Sequence, residues 1–250
     1  MAHDSYTEHL SQIQTCWSQI CQAHEGPTLA RRRAQSELLE RYGGAVRRYL
    51  LGGLRDPEVA DEVFQEFAMG LLKGDLKGAD PERGKFRSYI RGVLSHMIAD
   101  HHRRSAKQHR QMAAEAPEPA APQPTLEESD RAFLESWRDE LLARAWTRLE
   151  AHEKEHGQPF YSILKFRADN PEMKSVRMAQ ELTRYLSREL TSAGVRQIIH
   201  RARERFAELL LEDVAHSLTT PTRERLEEEL MDLGLLDYCK AVLDQQERDA

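Results

Sequence analysis

The chain has 250 residues and a formal net charge of −6; 31% are charged and 40% hydrophobic, which suits small helical modules better than one thick core. Glycine and proline are few, at 13 and 10, and runs of β-branched and aromatic residues are scarce, which argues against a β-sandwich or barrel. No apolar stretch is long enough to span a bilayer, and residues 1–30 contain no Lys or Arg, so neither a membrane span nor a secretory signal peptide is expected. Cys16, Cys21 and Cys239 cannot all pair with one another, which suits a soluble protein of the reducing cytoplasm.

Four helices are predicted in the first half of the chain. They span about 5–25, 29–51, 56–72 and 85–112, each with apolar residues at helical spacing. Asp56 is placed to cap the third helix, with Pro57 at its first helical position. The Gly- and Asp-rich stretch 73–84 is expected to be a loop.

A linker and further helices are predicted after residue 112. The segment AAEAPEPAAPQP (113–124) contains four prolines and no apolar stripe to bury, which indicates an extended linker. The helices that follow are expected at about 126–150, 160–168, 175–186 and 191–211, before an acidic amphipathic tail at 222–247. The predicted domains are an N-terminal helical extension (1–33), a first module (34–112), a linker (113–125), a second module (126–216) and a C-terminal extension (217–250).

Charge is segregated along the chain. Residues 31–110 hold 17 basic and 11 acidic groups and residues 161–210 hold 10 and 6, whereas the stretches around them are acidic. This alternation fits either unevenly composed, solvated helix faces or two polyanion-binding modules with acidic connectors. A locally basic block can bind nucleic acid in a chain that is acidic overall, because the local field steers association.

The first candidate nucleic-acid surface lies in residues 84–110. This stretch contains seven basic residues and one acidic residue, Asp100. The basic residues are Lys85, Arg87, Arg91, Arg103, Arg104, Lys107 and Arg110. Basic side chains that contact the phosphate backbone, next to aromatic rings that stack on bases, are typical of proteins that bind single-stranded nucleic acid. Phe86 and Tyr89 lie at the start of the stretch. The alternative is that Phe86, Tyr89 and Ile90 belong to a hydrophobic core.

The second candidate surface lies in residues 191–211. Thr191 can cap a helix whose inward stripe contains Val195, Ile198, Ile199, Ala202, Phe206 and Leu209. The opposite face carries Ser192, Arg196, Gln197, His200 and Arg203. The helix predicted at 175–186 would cross it, as in a helix-turn-helix, where the second helix reads base edges in the major groove. Many helical hairpins share this pattern.

Together these stretches resemble bacterial sigma-70 type sigma factors of the short, extracytoplasmic-function group. DPEVADEVFQEFAMGLL (56–72) is similar to the family's helix that docks on RNA polymerase, and GKFRSYIRGVLSHMIADHHRR (84–104) to the helix that melts and reads the −10 element. VRQIIHRARERFAELL (195–210) looks like the −35 recognition helix. The resemblance covers about 34–110 and 130–215, and implies an all-α fold in which a sigma region 2-like bundle and a sigma region 4-like helix-turn-helix are joined by a Pro/Ala-rich linker.

The resemblance also implies site residues. The acidic and amide positions that contact polymerase match Asp61, Glu62, Gln65 and Glu66. The −10 motif positions match Phe86, Arg87, Tyr89, Asp100, Arg103 and Arg104. The full candidate DNA-binding set is Lys85, Phe86, Arg87, Tyr89, Arg91, His96, Arg103, Arg104, Ser192, Arg196, Gln197, His200 and Arg203.

The chain departs from the family pattern in places. His96 stands where the family usually has Asn, and the stretch SRELTSAG (187–194) lengthens the turn of the second module. The extensions at 1–33 and 217–250 lie outside the minimal family and resemble those of planctomycete-type members. The tail LEEELMDLGLLDYCKAVL (226–243) is interpreted either as a regulatory segment, which folds over the basic surfaces or binds a partner helix, or as a stabilising helix on the second module.

Partners and chemistry follow from the resemblance. The implied partners are core RNA polymerase and promoter DNA. An anti-sigma factor or another regulatory protein is a further candidate partner. No contact with a membrane is expected. No Gly-rich phosphate loop, nucleophile elbow or carboxylate pair is evident, so no catalytic residue, cofactor or metal is predicted. The competing interpretations are a helix-turn-helix regulator that acts without polymerase, a helical adaptor, a phosphohydrolase around Asp100-His101-His102, and a zinc site of His9, Cys16, Cys21 and His24.

Overall fold

The structure, a computed structural model, describes residues 28–73, 85–112, 125–218 and 220–249. Within these ranges the backbone forms nine α-helices and no strand, which confirms the all-α prediction. The helices are α1 (Thr28–Leu54), α2 (Pro57–Lys73), α3 (Phe86–Met112), α4 (Leu126–His156), α5 (Phe160–Asp169), α6 (Ser175–Leu186), α7 (Ser192–Ser217), α8 (Arg223–Asp232) and α9 (Leu236–Asp249). The helix predicted at 5–25 and the linker segment 113–124 lie outside the described residues.

The described residues divide into two compact units. The first contains 28–140 and 215–225, and the second contains 141–214 and 226–249. Among these residues, no helix is both long and apolar enough to cross a membrane. The division of the chain into five domains stays a prediction.

Aromatic rings from α1, α3 and the first part of α4 build the core of the first unit. Tyr42 stacks on Trp137 with ring centroids 4.5 Å apart, and Phe86 lies 5.2 Å from Tyr42 and 5.9 Å from Trp137. Tyr49 meets Phe133 edge-on at 5.1 Å. Tilted and offset pairs of this kind add to the burial of large apolar surfaces. The first part of α4 therefore completes the core of this unit.

Local signals in the sequence fix several helix ends. Asp56 accepts hydrogen bonds from the N–H groups of Glu58 and Val59 at 2.9 and 3.3 Å, which confirms the predicted cap of α2. Thr191 Oγ1 accepts from the N–H of Gly194 at 3.0 Å, which confirms the predicted cap of α7. A capping box between Thr125 and Glu128 starts α4, and this signal was not predicted.

The second unit has a core shared by α5, α6 and α7. Ile163, Met178, Leu182 and Val195 are buried together, so α6 and α7 pack on one another across the connection 187–191. The side chain of Thr183 accepts a hydrogen bond from the N–H of Leu190 at 3.0 Å and ties this connection to α6.

Some helices end differently from the prediction. α4 continues to His156, where Gly157 adopts φ +68° and donates to the carbonyl of Glu153 at 2.8 Å, a left-handed helix stop. The tail at 222–247 is two helices, because Gly234 (φ +66°) lets the N–H of Leu235 reach the carbonyl of Leu230 at 2.8 Å. The packed leucines of the tail are buried within the units. They are Leu226, Leu230, Leu233, Leu235 and Leu243. This burial favours the stabilising interpretation of the C-terminal extension.

Candidate functional site

The solvent-facing side of α2 carries a row of acidic and amide groups. The four residues predicted for polymerase docking are all exposed: Asp61, Glu62, Gln65 and Glu66. Arg47 of α1 lies 3.8 Å from Asp61 and its guanidinium stacks 4.3 Å from the ring centroid of Phe64. The row is exposed because the opposite side of α2 supplies Val63 and Phe67 to the core.

Two of the residues predicted to bind DNA are buried in the first unit. Phe86 is 1% exposed between Tyr42 and Trp137, and Arg87 is 8% exposed. The structure therefore places the ring of Phe86 in the hydrophobic core, which is the alternative that the sequence left open. Tyr89 and Lys85 are half-buried, and burial raises the pKa of the Tyr89 phenol to about 12, so the ring is neutral at physiological pH.

The candidates on the outer face of α3 are exposed polar groups, and two of them, Arg103 and Arg104, form ion pairs. His96 is exposed, and Arg103 pairs with Asp100 one turn earlier on the same helix. Arg104 reaches Glu66 of α2 at 3.2 Å, and this hydrogen bond and charge raise the pKa of Arg104. The candidate docking row and the candidate DNA-binding helix thus meet at one exposed ion pair.

Acidic residues of α4 hold two arginines of the first unit, a feature that the sequence did not reveal. Arg91 of α3 pairs with Asp130, and Arg48 of α1 donates to Glu140 at 2.8 Å. Arg48 also donates to the carbonyl of Ser136 at 3.0 Å. The charges of the two acids could be read from the sequence, but no local pattern links residues so far apart along the chain.

The candidate recognition face of α7 is separated from its buried stripe. Arg196, Gln197, His200 and Arg203 are exposed and Ser192 is half-buried, whereas Val195, Ala202 and Phe206 are buried. His200 lies 3.4 Å from Glu204 on the next turn. Ile198 and Ile199, predicted to be inward, are half-buried. An amphipathic helix of this kind presents a row of donors and acceptors that can reach base edges.

The structure describes the residues of only one of the two competing metal interpretations. No three His, Cys, Asp or Glu side chains could hold a metal ion within the described ranges, which include Asp100, His101 and His102. The candidate zinc set of residues 9, 16, 21 and 24 lies outside them.

Comparison with known families bears on the first unit. Residues 38–108 match the family model of Sigma-70 region 2. This match spans less than a third of the chain and includes α2, most of α1 and nearly all of α3. No curated protein and no solved structure matches the chain.

The match supports the interpretation of the first unit as a sigma-70 region 2 domain. The matched residues end at 108, so the role of the second unit stays a prediction.

Proposed function

We propose that this chain is a cytoplasmic sigma factor of the extracytoplasmic-function group, with extensions of the planctomycete type, and that it directs core RNA polymerase to promoters. In this proposal the 34–112 domain docks on polymerase and opens the −10 element, and the 126–216 domain contacts the −35 element. The observation that carries it is the exposed acidic row on α2 beside a basic α3, within the residues that match region 2.

The acidic row is proposed as the polymerase-docking surface. Glu62 and Glu66 lie one turn apart on one side of α2, with Asp61 and Gln65 beside them, and all four are exposed. Such a row repels the phosphates of DNA, so it needs a protein partner that offers basic residues. Glu66 is already paired with Arg104, so docking would exchange that partner for one on polymerase.

The surface of α3 is proposed to capture a strand of the opened −10 element. His96, Arg103 and Arg104 are exposed and offer donors to phosphates and bases. Taking a base out of the stack costs a few kcal/mol, which contacts to the flipped base offset. Phe86 and Arg87 are buried, so we assign them to the core that supports this surface. Lys85, Tyr89 and Arg91 stay candidates at its margin.

The exposed face of α7 is proposed to read the −35 element as the second helix of a helix-turn-helix. Arg196 and Gln197 lie in its second turn, where recognition helices contact bases. Arg pairs well with guanine and Gln with adenine. Ser192, His200 and Arg203 flank these two residues and suit contacts to the backbone.

Charge reversal at Glu66 tests docking. We expect the full chain to co-elute with sigma-free bacterial core polymerase on a sizing column, and Glu66→Lys to weaken that complex at least about tenfold, or about 1.4 kcal/mol. The cause is repulsion between the new lysine and basic residues of the partner. The affinity is measured by titration of labelled chain with core polymerase.

Two variants serve as controls for this experiment. Glu40→Lys makes the same charge change at another exposed position of the first unit, on α1, and should leave binding within about twofold. Arg104→Gln breaks the ion pair with Glu66 but keeps the carboxylate, and should also bind polymerase. A loss with all three variants would assign the effect to charge or folding in general, and the proposed docking surface would be wrong.

Recognition of the −35 element is tested by selecting DNA from a random library with the holoenzyme. We expect Arg196→Ala to relax the base preference at one or two upstream positions, at a cost of about 1–3 kcal/mol per lost contact, and to leave the −10 preference unchanged. Arg201→Gln, on the same helix, is the matched control. A variant that changes only overall affinity, with the same selected sequence, would contradict base reading by Arg196.

The competing function is a regulator that binds DNA through α6 and α7 without polymerase. It accounts for the exposed face of α7 but leaves the acidic row on α2 without a role. The chain without polymerase should bind its selected promoter weakly. Equal affinity with and without core polymerase would favour the regulator.

A further inference from the structure

The second unit contains a cavity of about 370 Å³ to which no role has been given. It lies between α4, α5, α7 and α9, and its size falls within the range of small-molecule sites, roughly 300–1,000 Å³. One wall comes from the C-terminal extension, through Tyr238 of α9. The extension therefore does more than cover the core, because it completes a concave surface.

The walls of the cavity are largely aromatic. The rings of Trp146 and Phe206 lie 4.8 Å apart and are tilted by 55°, and Tyr238 meets Phe206 edge-on at 5.9 Å. Leu142 and Leu164 add apolar surface. Phe206 is 4% exposed, whereas Trp146 is half-buried and Tyr238 is 41% exposed, so Trp146 and Tyr238 offer most of the aromatic surface that a flat apolar group can contact.

The charged groups of the cavity are all positive. Arg167 and Arg203 line it, and none of the nine lining residues is acidic. Arg167 donates through Nη1 to the carbonyl of Met173 at 2.7 Å, which fixes its position while its other nitrogens stay available. Within the described part of the chain neither arginine forms an ion pair. The Tyr238 side chain is 41% exposed, and its phenol hydroxyl can donate a hydrogen bond to an anion.

We propose that this cavity binds a small aromatic carboxylate, with its ring against Trp146 and Tyr238 and its carboxylate held by Arg203 and Arg167. Guanidinium groups bind carboxylates with strong, charge-assisted hydrogen bonds. Arg203 also belongs to the face of α7 proposed to contact DNA. If that part of the proposed function holds, a bound carboxylate neutralises a DNA-contacting cation and lowers the affinity for DNA.

Ligand binding is tested by calorimetry on the full chain with 4-butylbenzoate. We expect a single site with a Kd below about 1 mM, and binding at least tenfold weaker for the uncharged 4-butylbenzamide, since it lacks the carboxylate. This titration contains no DNA and no polymerase, so its outcome is independent of the proposed sigma function. No heat from the carboxylate at millimolar concentration, or equal affinity for the amide, overturns the proposal.

Variants locate the site. Arg203→Gln should weaken 4-butylbenzoate about tenfold, and Arg201→Gln, an exposed arginine of α7 outside the cavity, should bind within twofold of the wild type. Ala168→Leu places a larger side chain at an exposed lining position without changing charge, and should abolish binding. Unchanged melting temperatures establish that the variants fold. Normal binding by Ala168→Leu would place the ligand elsewhere and overturn the assignment.

The coupling between ligand binding and DNA binding is tested by a separate measurement of DNA affinity. 4-Butylbenzoate should weaken the binding of promoter DNA to the wild-type holoenzyme at least twofold and should have no effect on Ala168→Leu. Binding of the ligand with no change in DNA affinity would keep the cavity as a site and reject its coupling to α7.

Discussion

Replacing Trp137 with alanine is expected to destabilise the first unit by about 3–5 kcal/mol. The indole is 1% exposed and stacks on Tyr42 at 4.5 Å, beside Phe86 and Phe133. Removing it deletes a large apolar surface and leaves a cavity that neighbouring rings fill only in part. The measurement is urea denaturation of the full chain, followed by circular dichroism.

Trp137→Phe is the matched control. It keeps an aromatic ring but removes the indole Nε1, which is buried and has no hydrogen-bond partner in the described structure. A buried donor without a partner costs about 1–3 kcal/mol of stability, so removal of the indole N–H offsets part of the stability lost with the packing. We expect a change of no more than about 1.5 kcal/mol. A cost below about 1 kcal/mol for Trp137→Ala would contradict the packing of α4 into this core.

The Trp137 result also bears on the extent of the functional module. The region 2 match ends at residue 108, whereas the compact unit includes the first part of α4. If Trp137→Ala unfolds the first unit, the exposed faces of α2 and α3 lose their support. We then expect the variant to lose polymerase binding together with its fold, whereas Glu66→Lys loses binding and stays folded.

Replacing Asp213 with alanine is expected to cost about 3 kcal/mol, the lower end of the range for breaking a buried ion pair. The Asp213 side chain is 2% exposed and pairs with Arg144 and Arg148 of α4. Alanine leaves the guanidinium of Arg144, itself largely buried, without this carboxylate. The cost stays at the lower end because Arg148 keeps its pair with Glu212.

Glu212→Ala is the control for Asp213. Its ion pair with the same Arg148 is more than one third exposed, so its removal should cost no more than about 1 kcal/mol. Both variants are compared by thermal and urea denaturation of the full chain. Equal costs for the two would mean that burial of Asp213 adds nothing, which would contradict the structure.

Much of the fold was determined by the sequence alone. The caps at Asp56 and Thr191 and the apolar stripes of α1, α2 and α7 are signals within one or two helical turns, and the structure places the caps and most of these stripes as predicted. The exposure of the acidic row on α2 follows from the same periodicity, because Val63 and Phe67 fix which side faces the core. The Sigma-70 region 2 resemblance rests on these local patterns and is supported by the family match.

Tertiary structure alone decided which partners those helices have. A basic helix with Phe86 at its start is compatible with base stacking or with a core, and only contact with Tyr42 and Trp137 shows that the ring is buried. The pairs of Arg91 with Asp130 and of Arg104 with Glu66, and the cavity completed by the C-terminal extension, join residues far apart in sequence. Periodicity determines which side of a helix is buried, but it carries no information on the helix that covers that side, since many apolar surfaces fit equally well until the whole chain is packed.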